Sequence, residues 1–535
     1  MNYDVVIVGG GIAGLTSGCY LSKSGYKVLL CEKEKKTGGL VQSFDYKGFI
    51  FDGGIRSLEN SGIIFPMVKQ LGLDVEFIRS IVSLGIEDDV IKVENEQSLI
   101  DYQELLNRKF PDNIKDIDLI IKEIKKIMGY MDILYGIDNP LFLDLNNDKE
   151  YLFKEIIPWL FKYLSKIHKI NKLNKPVEEY LHGFTDNQVL IDVIAQHFFK
   201  ETPTFFAMSY FSLYLDYSYP KNGTGELTEK MEAFYKDHGG DLSINTLITE
   251  VDPENKFVVD SEGNKFSYKK MIWAADVKSL YNLVNVSKLK SEDLVNRIEV
   301  AQSKLAANSG GDSVLTVYLT LDINKNYFEN ICTEHFFYTP LKKGLSNARI
   351  NEIILSNDKE NGIVYTDDKN KIINWLKKYY DYTTYEISCP AMRNEKLAPL
   401  NQTGLIVSTL MDHSLVKHIN EMGWYQEFKE ISENNIIDIL NSTIFDKLKA
   451  SIMDQFSATP LTIERLTANS DGAITGWSFL NEVPVESKMS RVAKSVLTYM
   501  PDIFMAGQWS FSPSGLPMSV LTGKLASDKV EKELK

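Results

Sequence analysis

Three glycines and one acidic residue near the start of the chain have the types and spacing of a dinucleotide phosphate site. Gly9, Gly11 and Gly14 form a G-x-G-x-x-G motif. In such a motif the glycines allow a tight turn, a close approach of the backbone to a pyrophosphate and close packing of a helix on a strand. Glu32 follows about twenty residues later, where an acid bonds ribose hydroxyls and disfavours a 2′-phosphate. The pattern therefore predicts a dinucleotide site and argues against NADP.

The residues around these glycines predict the strand, turn and helix that such a site requires. Val5–Val8 is an apolar run of β-branched residues, which is typical of a strand buried in a parallel sheet. A helix is expected from Ile12 to about Ser24, with its N-terminal amides aimed at the phosphates. Gly25 ends this helix, and Lys27–Glu32 is the second expected strand. These elements predict an α/β fold of Rossmann type.

The remainder of the chain predicts two kinds of structure that alternate. Residues 101–217 have a helical pattern rich in Lys, Ile, Leu and aromatic residues, and short strands separated by turn residues follow. Glu262–Asn264 marks a hairpin. The expected strands are 241–244, 247–251, 256–260, 271–276, 313–321, 335–338, 383–388 and 405–411, and a helix is expected near 427–448.

Composition excludes several classes of protein. A length of 535 residues allows two domains with substantial cores, and a formal net charge of −14 argues against a nucleic-acid partner. Cys19, Cys31, Cys332 and Cys389 have no metal-ligand spacing, so we predict free thiols and no metal site. The first strand begins at residue 3 without a signal peptide, and no apolar run approaches the roughly 18 residues of a spanning helix. We therefore predict a cytoplasmic protein.

The order of motifs along nearly the whole chain resembles that of one family, the phytoene desaturase-like FAD oxidoreductases, whose relatives include carotenoid isomerases and retinol saturases. The first and last motifs of the chain are those that indicate FAD in this superfamily. The matching segments are the N-terminal fingerprint, Gly38-Gly39, Asp52–Gly54, Tyr219–Leu227, Gly239-Gly240, Ala274–Asp276, Ala398-Pro399, Thr459–Thr462, Asn469–Gly476 and Ala506–Gly515.

This resemblance implies an FAD enzyme with two interleaved domains. The implied FAD-binding domain comprises 1–88, 219–292 and 492–535. The substrate-binding domain, an α+β unit built on a mixed sheet with a helical cap, comprises 89–218 and 293–491. The implied cofactor-binding residues are Gly9, Gly11, Ile12, Ala13, Gly14, Glu32, Lys33, Gly38, Gly39, Leu40, Gly54, Ile55, Arg56, Val251, Ala275, Gly507, Gln508, Leu516, Pro517 and Met518.

The resemblance also implies roles for particular segments of the FAD site. Val251 would contact the adenosine or ribityl part through its backbone, and Asp502 or its neighbours would do the same. Pro517 is expected as the first residue of a helix, where its missing N–H has no cost. The amides that follow, from Met518 onward, would point at the flavin pyrimidine carbonyl and stabilise the anionic reduced flavin.

Arg56 is the candidate catalytic residue. It follows Asp52–Gly54 by two positions, in a region that resembles the flavin-facing loop. A guanidinium there can hold a substrate carboxylate or simply pair with Glu59. No nucleophile and no acid/base pair emerges from the sequence, and we expect His335, His413 and His418 to be satisfied or surface histidines. We expect Trp509 either to line the pocket or to pack in the core.

The predicted activity is oxidation, reduction or isomerisation at the carbon–carbon bonds of a long apolar isoprenoid or polyene, with an undefined electron donor or acceptor. Amine oxidation at a C–N bond, or a flavin with only a structural role, are the alternatives.

The helix at 157–170 adds a further question, because Trp159, Leu160, Tyr163, Leu164 and Ile167 share one face beside a group of lysines. Such a helix lies either in a bilayer interface or on the surface with a solvated lysine face.

Overall fold

The computed structural model describes residues 2–144, 149–358 and 362–535. The strands are β1 (Asn2–Val8), β2 (Val28–Cys31), β3 (Ser43–Tyr46), β4 (Phe49–Asp52), β5 (Leu58–Glu59), β6 (Phe77–Arg79), β7 (Val82–Ile86), β8 (Asp89–Val93), β9 (Tyr217–Pro220), β10 (Asp241–Ser243), β11 (Ile248–Asp252), β12 (Phe257–Asp260), β13 (Lys265–Trp273), β14 (Ser313–Leu321), β15 (His335–Thr339), β16 (Ile354–Asp358), β17 (Gly362–Tyr365), β18 (Tyr385–Ser388), β19 (Thr403–Met411), β20 (Ile452–Ala458) and β21 (Ile503–Met505).

The helices fall between these strands and concentrate after β8 and after β17. They are α1 (Ile12–Lys23), α2 (Ile64–Leu71), α3 (Ser98–Lys109), α4 (Ile114–Tyr135), α5 (Lys149–Tyr151), α6 (Ile157–Ile170), α7 (Val177–Leu181), α8 (Gln188–Ala195), α9 (Thr204–Met208), α10 (Tyr210–Asp216), α11 (Gly225–Asp237), α12 (Val277–Asn282), α13 (Glu292–Ala306), α14 (Asn326–Glu329), α15 (Lys369–Tyr382), α16 (Pro390–Arg393), α17 (His413–Glu421), α18 (Tyr425–Thr443), α19 (Leu448–Ser451), α20 (Pro460–Thr467) and α21 (Leu516–Leu534).

The first sheet brings the two ends of the chain together. Its strand order is β10-β2-β1-β13-β12-β11, and β21 pairs in parallel with the end of β13. β1 runs parallel to both β2 and β13, and its central residues are fully buried. α1 packs on this sheet beside α21, and the hydroxyl of Ser17 donates to the carbonyl oxygen of Gly523 at 2.8 Å. The expected Rossmann-type architecture is confirmed.

The second sheet is mixed, in the order β20-β14-β19-β18-β15-β7-β8, with β7 and β15 parallel. One face packs against α15, α17 and α18 through alternate residues such as Leu315, Val317 and Phe336. The opposite residues of the same strands face a cavity below the helices α3–α10. The domain limits stay a prediction, and the limit placed between residues 88 and 89 falls between β7 and β8, which both belong to this sheet.

Most expected strands occur with ends shifted by one or two residues, but two elements differ more. The strand expected at 271–276 is β13, which begins at Lys265 and ends at Trp273. Its first half alternates polar and aromatic residues because it pairs antiparallel with β12 across the expected hairpin. The helix expected at 427–448 ends at Thr443, and Leu448 begins the separate helix α19.

The helix expected at 157–170 is α6, but its apolar residues divide between two faces. Trp159 donates its indole N–H to the carbonyl oxygen of Ile133 and stacks on Tyr163 at 5.2 Å, so these two rings pack inward. Leu160 and Leu164 point outward instead. Together with Phe153 of the π-helical turn that leads into α6, the outward residues form a set that we call the α6 face. It consists of Phe153, Ile157, Leu160, Phe161 and Leu164, with 65%, 37%, 44%, 70% and 59% of each residue exposed.

Candidate active site

The turn between β1 and α1 has the geometry of a phosphate cradle. Gly9 has a φ of +104°, and a Cβ there would lie 2.7 Å from the carbonyl oxygen of Ala274. A Cβ at Gly14 would overlap the carbonyl oxygen of Gly9, whereas one at Gly11 would meet nothing within 4 Å. The first turn of α1 carries no acidic residue and no side-chain cap. Its backbone N–H groups are therefore available to an anion.

Glu32 follows β2 at the carboxyl edge of the first sheet. Its Oε2 accepts a hydrogen bond from the Gly10 amide at 2.7 Å, and its Oε1 accepts one from the Glu34 amide at 2.9 Å. Burial raises the pKa of Glu32, although both backbone hydrogen bonds oppose this effect. The carboxylate is thus fixed beside the glycine turn, where it borders the same cavity.

The C-terminal segment closes on this cradle. Gly507 has a φ of +94°, and a Cβ there would lie 3.3 Å from the Cβ of Ala13. Its amide donates to the Thr522 hydroxyl at 2.9 Å. α21 begins at Leu516 with Gly515 as its N-cap, so Pro517 is the second helical residue and the prediction that it is the first is wrong. At either position its missing N–H removes no intrahelical bond.

A buried carboxylate joins two of the motifs that carry the family resemblance. Asp52 is fully buried, and its oxygens accept hydrogen bonds from the Ser43 hydroxyl at 2.9 Å and the Tyr219 hydroxyl at 2.8 Å. The Thr224 amide also donates to it at 2.9 Å. These bonds hold the Asp52–Gly54 turn against the start of α11. The turn is thereby fixed in place, and the residues that follow it, Ile55 and Arg56, line the cavity.

One cavity of about 650 Å³ borders the glycine cradle, the C-terminal segment and the second sheet. Sixteen of the implied cofactor residues line it, namely Gly9, Gly11, Ile12, Ala13, Glu32, Lys33, Gly38, Gly39, Leu40, Gly54, Ile55, Arg56, Ala275, Gly507, Gln508 and Leu516. Gly14, Val251, Pro517 and Met518 lie outside the lining. The amide of Val251 donates to the Leu283 carbonyl oxygen, and Ile248 and Thr249 of the same strand face the cavity instead.

This arrangement fits FAD. Glycines occupy the positions where a Cβ would obstruct the chain, and the N-termini of α1 and α21 both border the cavity without a side-chain cap. Two uncapped helix N-termini can serve a pyrophosphate and a second electron-rich group. Asp502 lies away from this site, because its carboxylate pairs with Lys256 and Lys270.

The floor of the cavity is a row of side chains in register across four strands of the second sheet. Thr316 of β14 pairs with Ser408 of β19, Ser408 pairs with Glu386 of β18, and Glu386 pairs with Phe337 of β15. Because side chains alternate along a strand, these four residues share one face. Thr316 and Ser408 hydrogen-bond each other at 2.9 Å.

His335 lies two residues before Phe337 and binds Glu386. Its Nε2 is 3.0 Å from the Oε1 of Glu386, and its Nδ1 is 3.1 Å from the Ser57 hydroxyl. The imidazole stacks on Tyr217 with an angle of 7° between the rings. The side chain of His335 is 2% exposed, whereas that of Glu386 is 34% exposed. The residues around Glu386 on this floor are buried, so its exposed third faces the cavity.

Burial and the neighbouring charged groups determine the charge state of the His335–Glu386 pair. Burial raises the pKa of Glu386, but the hydrogen bond from His335 and the charges of Arg56 and Arg393 outweigh it, so that the pKa is lowered. Burial lowers the pKa of His335 despite its carboxylate partner. At neutral pH the pair is thus a carboxylate that accepts a hydrogen bond from a neutral imidazole.

A second carboxyl group borders the cavity near α21 and behaves in the opposite way. A Cβ at Gly515 would lie 3.6 Å from the Oε1 of Glu59. Burial raises the pKa of Glu59 to about 7, and the nearby charge of Asp216 adds to this shift. The cavity is therefore bordered both by an ionised carboxylate, Glu386, and by a carboxyl group, Glu59, that is protonated for much of the time at neutral pH.

Arg56 is buried, with 4% of the residue exposed, and it does not pair with Glu59. Its Nη1 donates to the carbonyl oxygen of Asp52 at 2.7 Å and its Nη2 to the Ser408 hydroxyl at 3.1 Å. Within the described residues its Nε has no hydrogen-bond partner. A role for Arg56 in binding substrate stays a prediction.

The helical cap supplies the opposite wall of the cavity, and this wall is largely aromatic. Tyr210 packs edge-to-face against Phe337 at 6.2 Å. His197 lies 5.7 Å from the same ring, and burial lowers its pKa to about 4. The residues of the cap that line the cavity are Gln196, His197, Phe199, Phe206, Tyr210, Leu213 and Tyr217.

The expectation that His335 is a satisfied histidine agrees with its two hydrogen bonds. Strand pairing places His335 beside Glu386 at the cavity, and the sequence alone does not single out this pair. His413 contacts Glu464, and His418 contacts the Thr366 carbonyl oxygen; neither lines the cavity. The sequence marks each residue only as a polar group in or at the end of an apolar and aromatic strand, and it does not indicate that the two strands pair. Trp509 both lines the cavity and packs edge-to-face on Trp477 at 4.9 Å.

Two general features of the described residues bear on the class of protein. Across residues 2–144, 149–358 and 362–535, helices fall short of the length and apolar character needed to cross a membrane. In the same ranges, acidic, histidine and cysteine side chains form no group of three or more that could hold a metal ion. All four cysteines are buried and free.

Comparison with known proteins supports the cradle directly. Residues 7–71 match the NAD(P)-binding Rossmann-like domain family. The 4,4'-diapophytoene desaturase (4,4'-diaponeurosporene-forming) of Staphylococcus aureus strain COL is 20% identical over 99% of both chains. The inactive all-trans-retinol 13,14-reductase of Danio rerio is 25% identical over 47% of this chain, and this match spans 42% of that protein.

Solved structures show the same fold over the whole chain. A putrescine oxidase variant aligns over 100% of this chain and 99% of its own length, with a TM-score of 0.61 and 12% identity. An oxidoreductase from Methanosarcina mazei aligns over 99% and 100%, with a TM-score of 0.60 and 12% identity. The resemblance to phytoene desaturase-like proteins is confirmed, and the chain is similar in sequence to oxidoreductases of that group and in fold to an amine oxidase.

Proposed function

We propose that the protein uses FAD to desaturate, saturate or isomerise carbon–carbon bonds of a long apolar substrate of isoprenoid or polyene type. The observation that carries this proposal is the cavity, which runs from the glycine cradle to a wall of aromatic and aliphatic side chains from the cap. A desaturase related over its full length adds support. An apolar chain gains binding energy from such a wall by leaving water.

The protein's own residues would bind, orient and exclude water. A bound flavin supplies hydride chemistry, while the protein positions it and sets the electrostatics. The amides at the start of α1 would hold the pyrophosphate, and Glu32 would bond the ribose. The cap residues would keep water from the reacting carbons, and the charge on Glu386 is balanced by Arg56 and Arg393.

A second candidate is amine oxidation at a C–N bond. The aromatic rings around the cavity, among them Tyr210, Tyr217 and Phe337, favour it because aromatic faces attract cationic amines. The two guanidinium groups near Glu386 argue against it, because they compensate the carboxylate that would otherwise attract an ammonium group.

An anaerobic titration distinguishes these candidates. The FAD-loaded protein is mixed with isoprenoids, polyenes and amines while the flavin absorbance is followed. We expect a saturated or partly saturated isoprenoid to bleach the flavin, or a polyene to reoxidise flavin that dithionite has reduced. Bleaching by an amine alone would replace the proposal with amine oxidation. A flavin that none of these compounds bleaches or reoxidises would indicate a structural role.

We further propose that the α6 face rests in a membrane interface. Five apolar residues on one outward stripe are unusual for a surface helix in water. Lys162, Lys166, Lys169, Lys172 and Lys175 form a basic group in an acidic chain. Apolar insertion flanked by positive charge suits an anionic bilayer surface.

A further inference from the structure

We infer that the substrate carries a hydroxyl group, which donates a hydrogen bond to Glu386 at the floor of the cavity. The substrate would then be an isoprenoid or polyene alcohol rather than a hydrocarbon. This inference rests on the proposed function and narrows its substrate class. It begins from the one side chain on the cavity floor that combines an ionised group with open surface.

The other polar side chains of the floor are paired among themselves. Thr316 and Ser408 bond each other at 2.9 Å. Beside the floor, Gln196 of the cap donates to Thr384 at 2.8 Å, and Thr384 lies 2.7 Å from the Thr339 hydroxyl. These hydroxyl groups need no partner from a ligand, whereas the buried Oε1 of Gln196 has no partner among the described residues but carries no charge.

Glu386 differs because only one of its oxygens is engaged. Its Oε1 binds His335, and within the described part of the chain its Oε2 has no hydrogen bond. A third of the side chain faces the cavity. An apolar ligand that filled the cavity would displace the water bound to this oxygen without donating a hydrogen bond in its place. A charged acceptor left without a donor raises the free energy of the complex.

The charges around Glu386 select the group that can satisfy it. An ionised carboxylate only accepts hydrogen bonds, so a ligand carboxylate would be repelled and an ether would give no bond. Arg56 and Arg393 already balance the charge, and a ligand ammonium would meet both guanidinium groups. A hydroxyl donates a hydrogen bond without adding charge. It is therefore the group that this corner of the cavity accepts best.

The test uses four matched ligands and the FAD-loaded protein. Geranylgeraniol, its methyl ether, geranylgeranoic acid and geranylgeranylamine share one apolar chain and differ in the terminal group. Isothermal titration calorimetry gives the dissociation constant of each. A hydrogen bond to a charged acceptor predicts that the alcohol binds about tenfold more tightly than the ether. The acid and the amine should bind more weakly than the alcohol.

Two variants locate the effect. Glu386→Gln keeps the shape of the side chain and removes its charge, so the preference for alcohol over ether should fall to about threefold or less. Glu334→Gln is the matched control, because Glu334 directly precedes β15, the strand paired with that of Glu386, but lies outside the cavity lining, where it accepts a bond from the Ile81 amide. This variant should keep the full preference.

The possible results separate this inference from the proposed function. Equal binding of alcohol and ether would overturn the inference and leave the proposed function standing, as would a preference that survives in Glu386→Gln. Tightest binding of the acid would overturn it in favour of a carboxylate held by Arg56. If no member of the series binds, the proposed function fails together with the inference.

Discussion

The two sheets of the protein differ in how their site residues are distributed along the chain. In the first sheet, Gly9, Gly11, Gly14 and Glu32 belong to one β-α-β unit at the N-terminus. In the second sheet, the cavity floor is assembled from β14, β15, β18 and β19, which are separated by helices and loops. The first site is local in sequence, and the second exists only through strand pairing.

This difference explains why the first site can be predicted from a short stretch of sequence and the second cannot. A phosphate cradle needs glycine because a Cβ would collide with the backbone, as it would at Gly14. The residue type is therefore dictated by local geometry. By their types alone, nothing marks Thr316, Ser408 and Glu386 as site residues. They become neighbours only through the register in which their strands pair, and a shift of that register by one residue would turn their side chains to the opposite face.

The largest expected effect tests the local site. Gly14→Ala should abolish FAD binding, because the added methyl group would overlap the Gly9 carbonyl oxygen and push α1 away from β1. The FAD content of purified protein, read from the absorbance ratio at flavin and protein wavelengths, measures this. Gly129→Ala is the control, since a Cβ there meets nothing within 4 Å. Normal FAD content in Gly14→Ala would show that the cradle does not hold the cofactor.

A test of the non-local site is Arg56→Ala. Removing this buried guanidinium takes one donor from the Ser408 hydroxyl and one from the Asp52 carbonyl oxygen, and it uncovers the charge on Glu386. Loss of one partner of a buried charge costs about 3–5 kcal/mol. We expect a lower melting temperature and slower turnover, with Arg297→Ala on the surface as the control. Wild-type turnover and FAD content in Arg56→Ala would rule out a role for this residue.

The helical cap over the second sheet should make the stability of the protein depend on pH. The pKa of His197 falls from 6.5 to about 4 on folding, so the unfolded chain takes up a proton first and stability is lost as the pH falls through this window. The free energy of unfolding of wild type relative to His197→Gln should decrease by about 3 kcal/mol between pH 7 and pH 4.

Urea denaturation at several pH values measures this difference. Glu59 titrates in the opposite sense, but it is present in both proteins and its effect cancels in the comparison. His238→Gln, at an exposed position, should unfold in parallel with wild type. Curves for His197→Gln that stay parallel to wild type across this pH range would contradict the buried, neutral state of His197.

The last prediction concerns the α6 face, which lies away from both sheets and should leave the cofactor site unaffected. Phe161→Glu combined with Leu164→Glu should lower the affinity of the protein for anionic vesicles by about a hundredfold or more, read as loss of sedimentation with them, because each buried apolar side chain contributes about 1.5–3 kcal/mol. FAD content should stay unchanged. Leu400→Glu is the matched control, since Leu400 is 89% exposed and lies outside α6. If wild-type protein fails to sediment with these vesicles, the membrane proposal is wrong.

Sequence reasoning found the elements of the first sheet because each has a local signature. It also recovered most strands of the second sheet, from 313–321 through 405–411, because buried strands are apolar runs. It did not find the His335–Glu386 pair, which lies 51 residues apart in sequence and 3.0 Å apart in space. Nor did it find that α6 is apolar on two sides. An apolar face of a helix predicts that the face is buried, but it does not identify the surface against which it packs.

The type of cofactor site was thus already present in the amino-acid sequence, because steric limits on a turn and a helix N-terminus act over a few residues. The shape and polarity of the cavity came from tertiary structure. Strand register places Glu386 between Ser408 and Phe337, and the cap closes over them with Tyr210 and His197. Contacts of this kind depend on which distant segments pair, and short-range patterns carry no record of that pairing.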